Sequence, residues 1–198
     1  MDPLLVVIFG LMGVGKSTVA QGLAALRGWP LMQSDVVRKT LAGLAPTAPA
    51  RFPFGEGIYR EEFSRRTYEE MFRQAREHLA AGAQAVILDA SFKRAADREQ
   101  VRALAREAGA RVVFVQCVCP LEVVRERLRR REDNRTAVSD GRLEILDLQM
   151  EDFEPPDARD KPYLKLATDR QLPEIMEELQ AFLSPYLSPG RKEQVKNE

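Results

Sequence analysis

The run Leu4-Leu-Val-Val-Ile-Phe9 passes directly into Gly10-Leu-Met-Gly-Val-Gly-Lys16-Ser17, and no other stretch of the chain restricts its folding as tightly. Six consecutive apolar residues, three of them β-branched, predict a strand buried on both faces of a parallel sheet. The segment after it fits G-x-x-x-x-G-K-[ST] without a mismatch, and it sits between a strand and a helix as that motif requires. Its glycines let the backbone curl until successive N–H groups point inward at an anion. The positive end of a helix beginning near Lys16 adds to the same field. Gly10, Gly13, Val14, Gly15, Lys16, Ser17 and Thr18 are therefore the expected contacts to a nucleotide triphosphate. Lys16 would bridge the β- and γ-phosphates, and the Ser17 hydroxyl would hold Mg²⁺.

Composition narrows the rest. At 198 residues the chain is expected to form one α/β domain, and 44% hydrophobic content is ordinary for a globular protein. Thirty basic and thirty acidic residues cancel, so no overall attraction to nucleic acid or membrane is expected. No apolar run reaches the ~20 residues a membrane span needs. The opening MDPLLVVIFG lacks a basic leader region and reads as a core strand, not a signal peptide. Cys117 and Cys119 stand too close for an ordinary disulfide and make a poor metal site alone. They are expected to be buried reduced thiols, which fits a cytoplasmic protein. His78 is the single histidine and lies in a helical stretch, so the chemistry is expected among carboxylates, lysines and arginines.

Along the chain, strands are expected at Leu4–Phe9, Pro30–Gln33, Ala85–Leu88, Arg111–Val118 and Tyr163–Ala167. Helices are expected at Lys16–Leu26, Val36–Leu41, Arg60–Ala81, Ala95–Ala108, Pro120–Arg131, Leu143–Phe153 and Pro173–Leu183. Ser34-Asp35 is expected to cap the second helix. Strand and helix alternate, which predicts a largely parallel sheet with helices on both faces. One domain would span residues 1–187, with an acceptor-binding insert at about 41–81 and a lid at about 120–142. A loose polar tail would follow at 188–198. The segment from Gly43 to Gly57, with Arg51, Phe52 and Phe54, reads as a binding loop.

Three further groups carry chemistry. Asp35 closes the second strand about 20 residues beyond the phosphate loop, where ligands of parallel sheets bind. Arg38 shares its helical face at i+3. A carboxylate there could take the proton of an attacking hydroxyl, with the guanidinium orienting the acceptor; a plain helix cap with a surface arginine is the ordinary alternative. Asp89 follows Ala-Val-Ile-Leu in the pattern of a Walker B strand. It is a candidate to hold a metal-bound water, or to orient Arg38 or the acceptor. Five arginines crowd residues 125–131, interleaved with Glu122, Glu126 and Glu132, and a solvated face accounts for most of them. Arg127 and Arg131 lie four apart on one stripe, where lid arginines would neutralise charge on a transferring phosphoryl group.

With these residues in view, the chain resembles P-loop phosphotransferases of the predicted-kinase group. It resembles in particular the ATP-binding domain fused to aminoglycoside-phosphotransferase-like proteins. The likeness runs through GLMGVGKST, SDVVRKTLAGLAPTA, GIYREEFSRRTYEEMF, VILDASF and the SDG–FEPPD region. Asp35-x-x-Arg38 and the Arg127/Arg131 pair are also similar to 5′-hydroxyl polynucleotide kinases. That resemblance implies Asp35 as general base, Arg38 as the contact to the acceptor's phosphate, and a lid arginine on the nucleotide. A more distant similarity to gluconate and adenylate kinases implies a P-loop NTPase three-layer sandwich, its five-stranded sheet in the order 2-3-1-4-5 with a helical lid.

The expected activity is transfer of the γ-phosphoryl group of ATP, with Mg²⁺, to a hydroxyl of a small-molecule or nucleotide-like acceptor. Lys16, Asp35 and Arg131 would be catalytic, and Arg127 with Arg131 would touch the nucleotide. Asp35, Arg38 and Asp89 would meet the acceptor, the segment from Arg51 to Tyr59 would help choose it, and Thr168-Asp169 would pass near the adenine. A polynucleotide 5′-hydroxyl kinase, a toxin-like kinase of nucleotide sugars, and a nucleotide-gated regulatory module with little transfer are the alternatives.

Overall fold

The computed structural model describes residues 2–46, 48, 57–132 and 143–187. The expectations for Arg51, Phe52 and Phe54, for residues 133–142 and for the tail lie outside the described residues. Five parallel strands form one sheet in the order β2-β3-β1-β4-β5. They are β1 (Leu4–Phe9), β2 (Leu31–Gln33), β3 (Ala85–Asp89), β4 (Arg111–Val118) and β5 (Tyr163–Ala167). The α-helices among the described residues are α1 (Lys16–Arg27), α2 (Ser34–Leu41), α3 (Glu61–Ala80), α4 (Ala95–Glu107), α5 (Leu121–Glu132) and α6 (Leu143–Glu151) between the strands, and α7 (Leu172–Leu183) after the last.

Every β1 side chain is buried, and alternate residues serve opposite cores. Leu4, Val6 and Ile8 join Val19 and Leu23 of α1, Val124 and Leu128 of α5, Leu146 of α6, and Ile175 and Leu179 of α7. Leu5, Val7 and Phe9 join Met71, Phe72 and Leu79 of α3 and Val101 and Leu104 of α4. A strand covered on both sides has no polar face to alternate, hence its unbroken apolar run.

Register places the working residues. Ile8 pairs with Asp89 across β1 and β3, and Gln33 pairs with Asp89 across β2 and β3. The carboxyl ends of the three strands therefore finish level, beside the loop that leaves β1. Gly28 (φ 66°) ends α1 in the left-handed conformation, its N–H donating to the Ala24 carbonyl.

Two expectations are corrected. Ser34-Asp35 does not cap α2: the helix begins at Ser34, extended Gln33 occupies the cap position, and no side chain bonds the cap. β2 runs into α2 without a connecting loop, and the Gln33 side chain is drawn to Asp89 instead. The two cysteines are not buried together, because β4 ends at Val118 and leaves half-buried Cys119 outside it. Cys117 is buried in the sheet, and burial pushes its thiol up to about 12.

Candidate phosphate-binding site

The loop from Gly10 to Ser17 hangs between β1 and α1, and its shape depends on residues without a Cβ. Gly10 has φ 136°, and a Cβ there would stand 2.6 Å from the Cys117 carbonyl oxygen. Gly13 has φ 76°, and a Cβ would meet Val124 Cγ1 at 2.8 Å. Neither conformation nor space admits another residue without displacement. Lys16 Nζ donates to the Leu11 carbonyl at 2.7 Å, which folds the ammonium back along the loop. Residues far along the chain complete the rim. The Thr168 hydroxyl, just past β5, donates to the Val14 carbonyl, and Gln149 Oε1 on α6 accepts the Met12 N–H at 2.6 Å.

Asp89 is buried at the end of β3 and accepts from Gln33 Nε2 at 3.0 Å. Burial pushes its carboxyl upward from the usual range. The Lys16 charge and the Gln33 and Ser17 hydrogen bonds pull it back, and the Asp35 charge adds to the rise. The tertiary structure thus brings Lys16, Ser17, Gln33 and Asp35 close enough to Asp89 for each to act on its carboxyl. The oxygen donors there, the Ser17 hydroxyl and the Asp89 carboxylate, suit a hard divalent cation that keeps several waters and shares phosphate oxygens. No group of three or more His, Cys, Asp or Glu among the described residues could cage a metal alone.

Arg38 does not lie on the surface. Only 8% exposed, its Nη1 donates to the Ile58 carbonyl at 2.9 Å and to Ser64 Oγ at 3.0 Å. Its guanidinium lies 5.0 Å from the centre of the Tyr59 ring. Its Nε is buried without a hydrogen-bond partner, and no described carboxylate pairs with it. Beside it, the Tyr68 hydroxyl shares a hydrogen bond with Ser91 Oγ at 3.3 Å. Burial pushes the Tyr68 phenol up to about 12, and its ring stacks on Phe92 at 5.0 Å.

On the opposite rim, Arg127 donates from Nη2 to the Thr168 carbonyl at 2.7 Å. Its Nη1 lies 3.4 Å from where a Cβ on Gly15 would be. This member of the arginine stripe therefore touches the phosphate loop. Arg131 falls in the last turn of α5, its side chain outside the described residues. Arg125, Arg129 and Arg130 face solvent in pairs with Asp147 and Glu126, as a charged surface helix requires. His78 is exposed on α3.

Sequence reading named Thr168 without its contact to the phosphate loop, and it missed Gln33, Gln149 and the buried pair of Arg98 with Asp160, whose exposures are 0% and 2%. Arg98 Nε meets Asp160 Oδ2 at 3.0 Å, and its Nη1 and Nη2 donate to the carbonyls of Phe92 and Pro155. That lock secures the turn after Asp89, where Phe92 holds φ 36° and the Ser91 carbonyl accepts the Gly10 N–H at 3.2 Å.

Comparison with known proteins agrees with this fold. An uncharacterized protein of Mycobacterium tuberculosis H37Rv is 30% identical over 124 residues, covering 63% of this chain and 25% of that protein. The chain thus spans about a quarter of the length of the curated relatives it matches. Among solved structures, an inferred kinase from Chloroflexus aurantiacus superposes with TM-score 0.71 at 20% identity, covering 92% of this chain and all of that one. A gluconokinase from Sinorhizobium meliloti superposes with TM-score 0.63 at 20% identity, covering 93% and 94%. At that identity the likeness shows a shared fold. The family model described as AAA domain matches residues 5–156, and with its phosphate loop and sheet order in place, the chain belongs to that family of P-loop proteins.

Proposed function

We propose that the protein is a kinase that transfers the γ-phosphoryl group of ATP to a hydroxyl on a small acceptor carrying an acidic group. One observation carries the acceptor side: Arg38 is a buried guanidinium with no described carboxylate opposite it and an unpartnered Nε. A buried cation left uncompensated is costly, so the site is built to be completed by an anion. Asp35, three residues earlier on α2, shares the neighbourhood of Lys16 and Asp89. The acceptor oxygen would attack the γ-phosphorus as the bond to the β–γ bridging oxygen breaks. ADP leaves, and the hydroxyl proton passes to the Asp35 carboxylate. Lys16, Arg127 and Arg131 would offset charge on the phosphoryl oxygens. Ser17 and Asp89 would hold Mg²⁺, which when bound supplies neutralisation of phosphate charge. Thr168-Asp169 would lie near the base. The fold shared with an inferred kinase and a gluconokinase supports this reading, and the two free cysteines support a cytoplasmic setting.

The test is γ-labelled ATP with a panel of hydroxyl compounds bearing carboxylate, phosphate or no charge. Labelling of acidic members, with Arg38→Met raising KM for the acceptor at least tenfold and leaving that for ATP unchanged, is the expected result. Labelling of neutral alcohols alone would overturn the acidic-acceptor reading. ATP hydrolysis that no acceptor accelerates would favour a regulatory module. Salt-sensitive labelling of a 5′-hydroxyl oligonucleotide would favour a polynucleotide kinase.

A further inference from the structure

α6 arrives at the phosphate loop from far along the chain, and one of its side chains enters the loop's own hydrogen bonding. Gln149 Oε1 accepts the Met12 N–H at 2.6 Å across 137 residues. A backbone N–H can only donate, so the oxygen end of this amide must be the end facing the loop. The nitrogen end, with two donor hydrogens, makes no hydrogen bond to any described residue.

The side chain is held where it is from both ends of its helix. Leu146 is buried against the core that contains Val14, Val124 and Leu128. Past the helix, Asp152 pairs with Lys93 and with Arg94 at 3.6 Å, and Glu154 accepts the Ala95 N–H at 2.6 Å. Arg98 clamps the Pro155 carbonyl at 3.2 Å. The segment from α6 to β5 is thus strapped across the carboxyl end of the sheet, onto the start of α4. Its neighbours Leu148 and Met150 point to solvent, 43% and 41% exposed, which leaves Gln149 as the residue of that turn turned inward. An amide fixed at the loop's outer rim, carbonyl inward and donors unassigned, has the chemistry of a phosphate contact.

We infer that Gln149 is a specificity-determining residue whose side-chain amide donates to the terminal phosphate of a bound nucleoside triphosphate, so that the site distinguishes triphosphate from diphosphate. This rests on the phosphate loop binding a nucleotide, though not on which acceptor is used. The distinction follows from position: Met12 stands one residue before Gly13, on a loop of the kind whose backbone N–H groups cradle the phosphates common to both nucleotides.

Calorimetric titration with ATP and with ADP, each with Mg²⁺, tests it on the intact chain. Gln149→Glu keeps the length and an oxygen for the Met12 N–H, but replaces the donors with a carboxylate oxygen. Gln149→Met removes both functions. Both variants should lose ATP affinity by about tenfold or more and change ADP affinity by less than about twofold. Equal losses for ATP and ADP in Gln149→Met, restored for both in Gln149→Glu, would overturn the inference and leave Gln149 as a brace for the loop. Unchanged ATP affinity in both variants would also overturn it. Lys16→Ala is the separate control: wild-type protein that binds neither nucleotide, or binding indifferent to Lys16, would overturn the nucleotide reading itself.

Discussion

Replacing Asp160 by alanine removes the anion from the most deeply buried ion pair described in the protein. Asp160 is 2% exposed and receives Arg98 Nε at 3.0 Å, Arg102 Nη1, and the Asp157 N–H at 3.0 Å. The Arg98 guanidinium, wholly buried, would keep two carbonyl partners and its place 5.5 Å from the centre of the Phe9 ring. It would lose the only carboxylate that forms an ion pair with it among the described residues. Breaking a buried pair from one side costs roughly 3–5 kcal/mol, a large share of the ~5–15 kcal/mol that holds a domain together. At roughly 2–4 °C per kcal/mol for a domain of this size, Tm should fall by about 6–20 °C. Urea denaturation should show a lower midpoint with an unchanged slope. Removing both charges, as Arg98→Met with Asp160→Leu, should recover much of the loss, since apolar replacement of a buried pair is often neutral. ATP affinity should also fall in Asp160→Ala, because Arg98 steadies the Ser91–Phe92 turn that anchors Gly10. A loss below about 1 kcal/mol would refute the reasoning, since it would mean the guanidinium reaches water or a substitute anion.

Three other outcomes bear on the site. Asp35→Asn should lower kcat by about 10²–10⁴-fold, the usual worth of a general base, with ATP affinity nearly unchanged in binding titrations. Lys16→Ala should remove transfer, and wild-type turnover in Asp35→Asn would refute the base assignment. For Asp89, the folded-state pKa is raised above its ordinary 3.8 by burial, so the native state retains the proton to higher pH than the unfolded chain. Stability contributed by the protonated form is then lost as pH rises through the window above 3.8. Asp89→Asn should therefore be more stable than wild type at pH 7 and converge with it under acid, while binding Mg²⁺ and ATP more weakly. Urea midpoints measured against pH for both proteins check this, and parallel profiles would contradict it.

The phosphate loop was legible because everything it needs is contiguous: a strand, a glycine turn and a helix start within residues 4–27. The central strands were the most legible, because burial on both faces writes itself as the apolar runs Leu4–Phe9 and Ala85–Leu88. Asp89 stood out by following such a run, and Asp35 by its place about 20 residues beyond the phosphate loop with Arg38 at i+3. Arg127 was singled out by its stripe, and the structure sets its guanidinium beside Gly15 and the Thr168 carbonyl.

Other partnerships carried no mark in the chain. Arg98 looks like any arginine of AADREQVRALARE, and Asp160 like any acid of EPPDARDKP, yet they meet across 62 residues in the core. Gln33 reaches Asp89 across 56 residues, and Thr168 reaches Val14 across 154. The sequence by itself determined which segments become strands and helices and where a phosphate would sit, since those properties follow from local propensity, periodicity and backbone freedom. Only the tertiary structure decided which side chains surround that loop, because the crossovers bring distant strand ends level and register then selects the neighbours.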